Sequence, residues 1–512
     1  MQRGVPFVLF ALSGCSVAPE PPPLPPPTPA STGGGSAGTS MGSAGSPAAG
    51  SGGSATTAGT GGAAGQGGEA GAAPDPQGEY APTGIADPEL AYPAYTPKDG
   101  DRVLSRARYL DQLQGFWLGE CIANWTGLVT EMDKVGSGTL PFYVDADWGG
   151  ADLPSIWGSY GPSPTIGYVL TTAGTPWGAD DDTDLEYLYQ HLLDELDTSF
   201  LSGEQIKSGW LEHIYSNEDA SDGENYLWVS NESAYYLMLD GLVPPETSDP
   251  ANNPNYSMID AQLTTEIFGL FAPARPDLAL SMAALPIRAT ASGEAESAAR
   301  FYVMLYSLAS TVDLEAPRGA ELERIALEAR QHLPAGSIVA DMFDFVWSYY
   351  LNAADKDDWE ACRDAVYQRY QLDGAAGYVY NQPYDSGINF AASVISLLYG
   401  QGDLLRTIQI GTLAGWDSDN PTATWGGLLG FLLGKTGVQA AFGQSELSDT
   451  YWIHRTRRGF PDRTLDADGE DTFSDMAARG LMIVDRVVLE ELGGGVDLAQ
   501  ERYYVPATAT AL

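Results

Sequence analysis

The stretch Gly415 to Gly434, GWDSDNPTATWGGLLGFLLG, sets Asp417 and Asp419 on either side of a serine, follows them with Asn420, and then runs into a glycine-studded apolar segment. Asp417, Asp419 and Asn420 offer hard oxygen donors on a tight turn, which suits Mg²⁺, Ca²⁺ or Mn²⁺ rather than zinc. Behind the turn, Thr422, Trp425, Leu428, Leu429, Leu432 and Leu433 recur at helical spacing, with Gly426, Gly427, Gly430 and Gly434 between them. Glycine costs about 1 kcal/mol per helical residue, so several together predict a buried helix whose backbone approaches another closely. An Asp-rich helix N-cap is the plainer reading of the turn taken alone.

A second acidic turn lies far upstream, in Trp177-Gly178-Ala179-Asp180-Asp181-Asp182-Thr183-Asp184. Leu185, Leu188, Leu192 and Leu196 form a helical stripe directly behind it, which places the aspartates at that helix's N-terminus. One or two carboxylates satisfy a cap; four in five positions repel one another, and a cation relieves the excess. Neither turn supplies six oxygens to one ion. Together with water they could serve two divalent ions about 3.5–4 Å apart, an arrangement that orients hydroxyls and activates water. This points to a hydrolase.

Composition bounds the rest. Of 512 residues, the first hundred are too rich in Gly, Pro, Ser, Ala and Thr to build a core, leaving one large folded domain over 99–512. A formal net charge of −43 argues against nucleic-acid binding, since phosphate neutralisation needs Lys and Arg. Residues 1–15 read as a secretion signal: Arg3, a short apolar run, then Leu12-Ser13-Gly14-Cys15. That tetrapeptide resembles a bacterial lipobox. The resemblance implies lipidation of Cys15 and a membrane anchor in the cell envelope, with Ser16 fitting an outer-membrane address. Residues 16–98 then read as a disordered tether, with a mean span on the order of 50 Å. Cys121 and Cys362 read as buried thiols, and the chain as a monomer.

The folded part opens with Leu110, Leu113, Trp117, Leu118 and Cys121 on one helix face, leading into a loop from Gly119-Glu120 to Glu131. Later segments with helical spacing are Glu224–Leu239, Ile259–Phe271, Ala298–Leu308, Met342–Leu351, Trp359–Tyr370 and Asn389–Tyr399. Two-residue alternation is scarce, so the fold is expected to be all-α. His191, His213 and His332 are expected on helix surfaces or edges. The basic cluster His454, Arg455, Arg457 and Arg458 is expected to form internal salt bridges, with phosphate contact as the alternative.

In this order, the motifs from about Arg106 to Gly495 resemble the ADP-ribosylglycohydrolase family. They comprise the opening helix and glycine loop, Asp180-Asp181-Asp182-Thr183, the IDAQLTTEIFGLFAP segment, Gly293-Glu294, Leu397-Leu398-Tyr399-Gly400-Gln401-Gly402-Asp403, and Asp417-Ser418-Asp419-Asn420. The resemblance implies an all-α protein holding two Mg²⁺ (or Mn²⁺) between the early and late turns. It implies metal ligands at Asp180, Asp181, Asp182, Asp417, Asp419 and Asn420, and substrate-binding residues at Asp260, Gly293, Glu294 and Asn389. Glu131, or alternatively Glu120, would be the catalytic acid or base. The implied reaction is hydrolysis of an N- or O-glycosidic bond in an ADP-ribosyl or related ribosyl substrate. Three positions depart from the family pattern: Asp180 and Asn420 stand where threonine is usual, and Ala291 stands near the place of a histidine. These departures motivate one alternative, a surface-tethered binder of nucleotide sugars or glycans; the 12 Trp and 27 Tyr, which could stack on sugar rings, go with another, an extracellular carbohydrate hydrolase using the same metals.

Overall fold

The structure, a computed structural model, describes residues 80–136, 142–158, 161–220, 225–453 and 470–507. Cys15, the signal segment, most of the expected tether and the His454–Arg458 cluster lie outside the described residues. The fold is mainly helical. Its strands are few and short: Arg102–Ser105 pairs antiparallel with Arg502–Val505, which pairs with Gly495–Asp497, and Thr450–Trp452 pairs with Glu470–Thr472.

Two buried helices form the axis. The opening helix, Arg106–Gly127, is capped by Ser105 and is buried on nearly every side, with Arg106, Glu120 and Asn124 among its buried residues. It continues through the stretch expected as a glycine loop. The late helix, Asp419–Ala441, kinked at Gly434 (φ +70°), runs antiparallel against it. Glycine makes this approach possible: a Cβ on Gly119 would lie 2.2 Å from the Gly426 carbonyl oxygen, and one on Gly430 would lie 2.1 Å from that of Gly115. At the far end, a Cβ on Gly127 would meet Asp419 Cα at 2.4 Å, so the end of the first helix abuts the start of the second. Close contact between the two backbones offsets the intrinsic cost of glycine in a helix.

Further helices surround this pair: Asp181–Glu195, Glu294–Ala309, Ser386–Tyr399, Leu404–Ala414 and Phe473–Arg486. The expected helix over Ile259–Phe271 is broken into Ala261–Thr265 and Ile267–Phe271. The break falls at Glu266, where the Ile267 amide donates to Glu186 Oε1 (2.8 Å). The Glu224–Leu239 helix begins later, at Val229, and Trp359–Tyr370 turns from α to π geometry after Val366.

Ordered structure also begins earlier than 99. Arg106, fully buried, pairs with Asp485 (2.8 Å) and Glu501 (3.1 Å) and donates to Thr83 Oγ1 and the Ile85 carbonyl. Arg486 likewise reaches Asp87 (2.7 Å). These contacts fasten the segment from Thr83 onward to the domain. His191 and His213 are buried and packed edge to face, with ring centroids 4.9 Å apart, rather than on helix surfaces. Cys121 and Cys362 are buried free thiols. Among the described residues no helix is long and apolar enough to cross a membrane.

Candidate metal centre

The late turn is shaped by its first two residues. Gly415 has φ +99°, and Trp416 takes φ +59°, a conformation that costs a non-glycine residue of order 1 kcal/mol. The surroundings hold Trp416 in place: its amide donates to the Lys134 carbonyl (2.8 Å), its carbonyl accepts from Met132 (2.9 Å), and its indole donates to Gln371 Oε1 (2.8 Å). That backbone pairing carries Glu131 alongside the turn. One carboxylate oxygen from each of Glu131, Asp417 and Asp419 lies within 4.8 Å of the other two. Ser418 secures the turn from below by donating to the Gly127 carbonyl (3.0 Å).

The early turn sits at the start of Asp181–Glu195. Asp180 is its N-cap, Oδ1 accepting from the Thr183 amide (3.1 Å), so the capping reading holds for this residue. Its other oxygen faces the late turn: Asn124 Nδ2 donates to Asp180 Oδ2 (2.8 Å) and to Asp419 Oδ2 (3.3 Å). A second bridge runs from Asn420 Nδ2 to Asp182 Oδ2. Asn231 Nδ2 reaches both Asp181 Oδ2 (2.9 Å) and Asp182 Oδ1 (2.7 Å), and the Trp228 amide donates to Asp181 Oδ2 (2.9 Å). The two acidic turns therefore share one site. Its most exposed members are Asp180 and Glu131, both half-buried.

Asp260 joins the cluster, held by the amide and hydroxyl of Ser230. Burial pushes the Asp260 carboxyl well up, and the charge of Asp181 adds to this. Burial likewise raises Asp182, reinforced by Asp181, Asp260 and Asp180. Asp419 is raised well above the carboxylate range by burial and by the charges of Glu131 and Asp417. Burial takes Asp417 up to about 6. Among the described residues no Lys, Arg or His pairs with Asp180, Asp182, Asp260, Asp417 or Asp419. Asp419 Oδ1 and Asn420 Oδ1 are buried with no hydrogen-bond partner. Converging carboxylates and orphaned acceptor oxygens together fit a divalent metal.

Other expected residues have different positions. Asn389 is fully engaged within the chain: its amide donates to the Pro383 and Asp385 carbonyls (2.7 and 3.0 Å), and its oxygen accepts from the Asp417 amide (3.2 Å). It braces the late turn and has no donor left for substrate. Gly293 lines a surface pocket with Arg300 and His332, and Glu294 accepts from the Val339 amide (3.3 Å). Among the described residues neither hydrogen-bonds to the acidic turns. Glu120 is fully buried and groups with Glu186 and Glu266, apart from Glu131. That position, closed to solvent, removes it from the candidate acids or bases.

Asn124, Asn231, Glu186 and Glu266 were missed in the sequence. An acid directly before the apolar run Ile267-Phe268-Gly269-Leu270-Phe271 was the available signal for Glu266; the asparagines carried none.

A helical domain with a shared acidic cluster that could hold metal ions defines the class, and comparison narrows it. The model of the ADP-ribosylglycohydrolase family matches residues 105–471, and the chain belongs to that family. Among solved structures, one described as an "ADP-ribosylglycohydrolase-related protein complex" is similar at 15% identity, covering 74% of this chain and 98% of its own, with a TM-score of 0.43. No curated protein matches the chain.

Proposed function

We propose that the protein is a metal-dependent hydrolase that cleaves an N- or O-glycosidic bond in an ADP-ribosyl or related ribosyl substrate. The observation that carries this reading is the meeting of the two acidic turns through Asn124 and Asn420, with half-buried Glu131 beside Asp417 and Asp419. Membership of a hydrolase family supports the reaction class.

In this reading Asp180, Asp181, Asp182, Asp417, Asp419 and Asn420 hold two Mg²⁺ or Mn²⁺. When bound, such ions polarise an oxygen and lower the pKa of water. The chain's own contribution is positional. Asn124 fixes the distance between Asp180 and Asp419, Asn231 sets the rotamers of Asp181 and Asp182, and Trp416 aims Asp417. Preorganisation of this kind removes reorientation from the barrier. Glu131, at the open side, takes a proton on its carboxylate from the attacking water or returns one to the leaving atom, a role worth about 10²–10⁴-fold in rate.

The test is release of free ADP-ribose from N- and O-linked conjugates by the full chain with Mg²⁺ or Mn²⁺. Turnover is expected to vanish in EDTA and in Asp417→Ala, and to fall about 100-fold or more in Glu131→Gln. Turnover that survives EDTA rules out the metal mechanism.

The departures at Asp180, Asn420 and Ala291 favour a second reading, a family member that binds a nucleotide sugar or glycan without cleaving it. Calorimetry with ADP-ribose beside the release assay separates the two, because binding without release under either metal supports the binder. We further propose that the protein works at the bacterial cell envelope, carried by a lipid on Cys15. Cys15→Ser is expected to move it from the membrane to the soluble fraction; unchanged fractionation contradicts the anchor.

A further inference from the structure

Below the paired turns, we propose, Glu120, Glu186 and Glu266 hold a third divalent cation through oxygen ligands, at a site separate from the one in the turns. Glu120 comes from the opening helix, Glu186 from the helix behind the early turn, and Glu266 from the break between Ala261–Thr265 and Ile267–Phe271. One oxygen from each lies within 4.8 Å of the other two, and all three side chains are fully buried.

Neutral donors satisfy part of this cluster. Tyr306 OH (2.7 Å) and Thr424 Oγ1 (2.9 Å) donate to Glu266, and the Ile267 amide donates to Glu186 Oε1. Glu186 Oε2 and one oxygen of Glu120 remain with no partner. One uncharged side chain supplies an independent sign of a missing ligand, while Thr183, fully buried beside Glu120, has that carboxylate as an acceptor for its hydroxyl. Gln262, whose amide donates to Thr424 (3.2 Å), leaves its buried carbonyl oxygen unpartnered.

Among the described residues no Lys, Arg or His bonds to any of the three glutamates. Three carboxylates without a countercharge are not sustainable in a dry interior. Protons shared among them would cancel charge but serve only some of the surplus acceptors. One divalent ion cancels two charges and accepts several oxygens at once, and an all-oxygen set selects Mg²⁺, Mn²⁺ or Ca²⁺.

Equilibrium dialysis of the full chain against Mn²⁺, followed by elemental analysis, counts ions per chain. Glu120→Gln keeps the side chain's shape and removes its charge, and is expected to bind one ion fewer than wild type. The same loss of one is expected when Glu120→Gln is added to a chain carrying Asp417→Asn and Asp419→Asn, in which the paired turns are disabled. Equal counts in wild type and Glu120→Gln overturn the proposal, as does a loss that disappears in the disabled background; the triad then carries shared protons only. Should Glu120→Gln not fold, the disabled chain decides alone: one retained ion supports the site, and none overturns it. Because the disabled background lacks the hydrolytic centre, this outcome is independent of the proposed reaction.

Discussion

Asn420 shows how one side chain couples two distant motifs. Its amide donates to Asp182 while its oxygen stays buried and unpartnered, so the residue ties the turns together and keeps an acceptor facing the site. A hydrogen bond to a charged group is worth about 1.5–3 kcal/mol, so Asn420→Ala is expected to weaken Mn²⁺ binding roughly 10–100-fold by calorimetry. An unchanged Kd would show that the clasp is dispensable. At this scale the acidic ligand candidates were legible in the sequence, because carboxylates crowded onto a turn conflict with one another unless something relieves them. Asn124 and Asn231 were not legible: an asparagine in a helix acquires meaning only from partners far along the chain, such as Asp419 for Asn124. Glu120 was misjudged for a related reason, since nothing local distinguishes an exposed glutamate from one buried against Glu186 and Glu266.

Pairing of the opening and late helices sets the separation of the two turns. The glycine spacing in GWDSDNPTATWGGLLGFLLG announced a close approach, but its partner emerged only in three dimensions, as Gly115 and Gly119 on the opening helix. The reading of Gly119 onward as loop failed because glycine's helix penalty was weighed without the contact that offsets it. Gly430→Ala puts a methyl 2.1 Å from a backbone oxygen and is expected to destabilise the fold by roughly 2–3 kcal/mol or more. Gly167→Ala, with open space at its Cβ, is expected to change stability by less than about 0.5 kcal/mol. Urea unfolding of both variants checks this, and equal midpoints would refute the close-packing account. The Ile259–Phe271 helix broke because Glu186 captures the Ile267 amide, a competition invisible to periodicity.

The whole molecule carries a formal charge of −43, and its acidic turns concentrate part of that acidity in one buried cluster. Burial lifts Asp417 to about 6, above an ordinary aspartate near 3.9. A group raised in the folded state stabilises the metal-free protein below its unfolded pKa and loses that contribution as pH rises through about 6. A divalent ion must displace the proton at low pH but finds the carboxylate free at neutral pH. Mn²⁺ is therefore expected to raise the Tm more at pH 7 than at pH 5, and Asp417→Ala is expected to shrink the difference. A Tm increment equal at both pH values would contradict this linkage. The mainly helical class was legible at this scale from the absence of alternation. The anchoring of Thr83 to Asp87 was not, because it depends on Arg106 and Arg486 reaching back to a segment with little periodicity of its own.

The central claim is that the early and late turns together form one metal centre, and anomalous scattering from crystals of the folded domain soaked in Mn²⁺ tests it most directly. The expected result is a pair of peaks between Asp180–Asp182 and Asp417–Asn420, both lost in Asp417→Ala. Mn²⁺ bound elsewhere, with no peak between the turns, would contradict it.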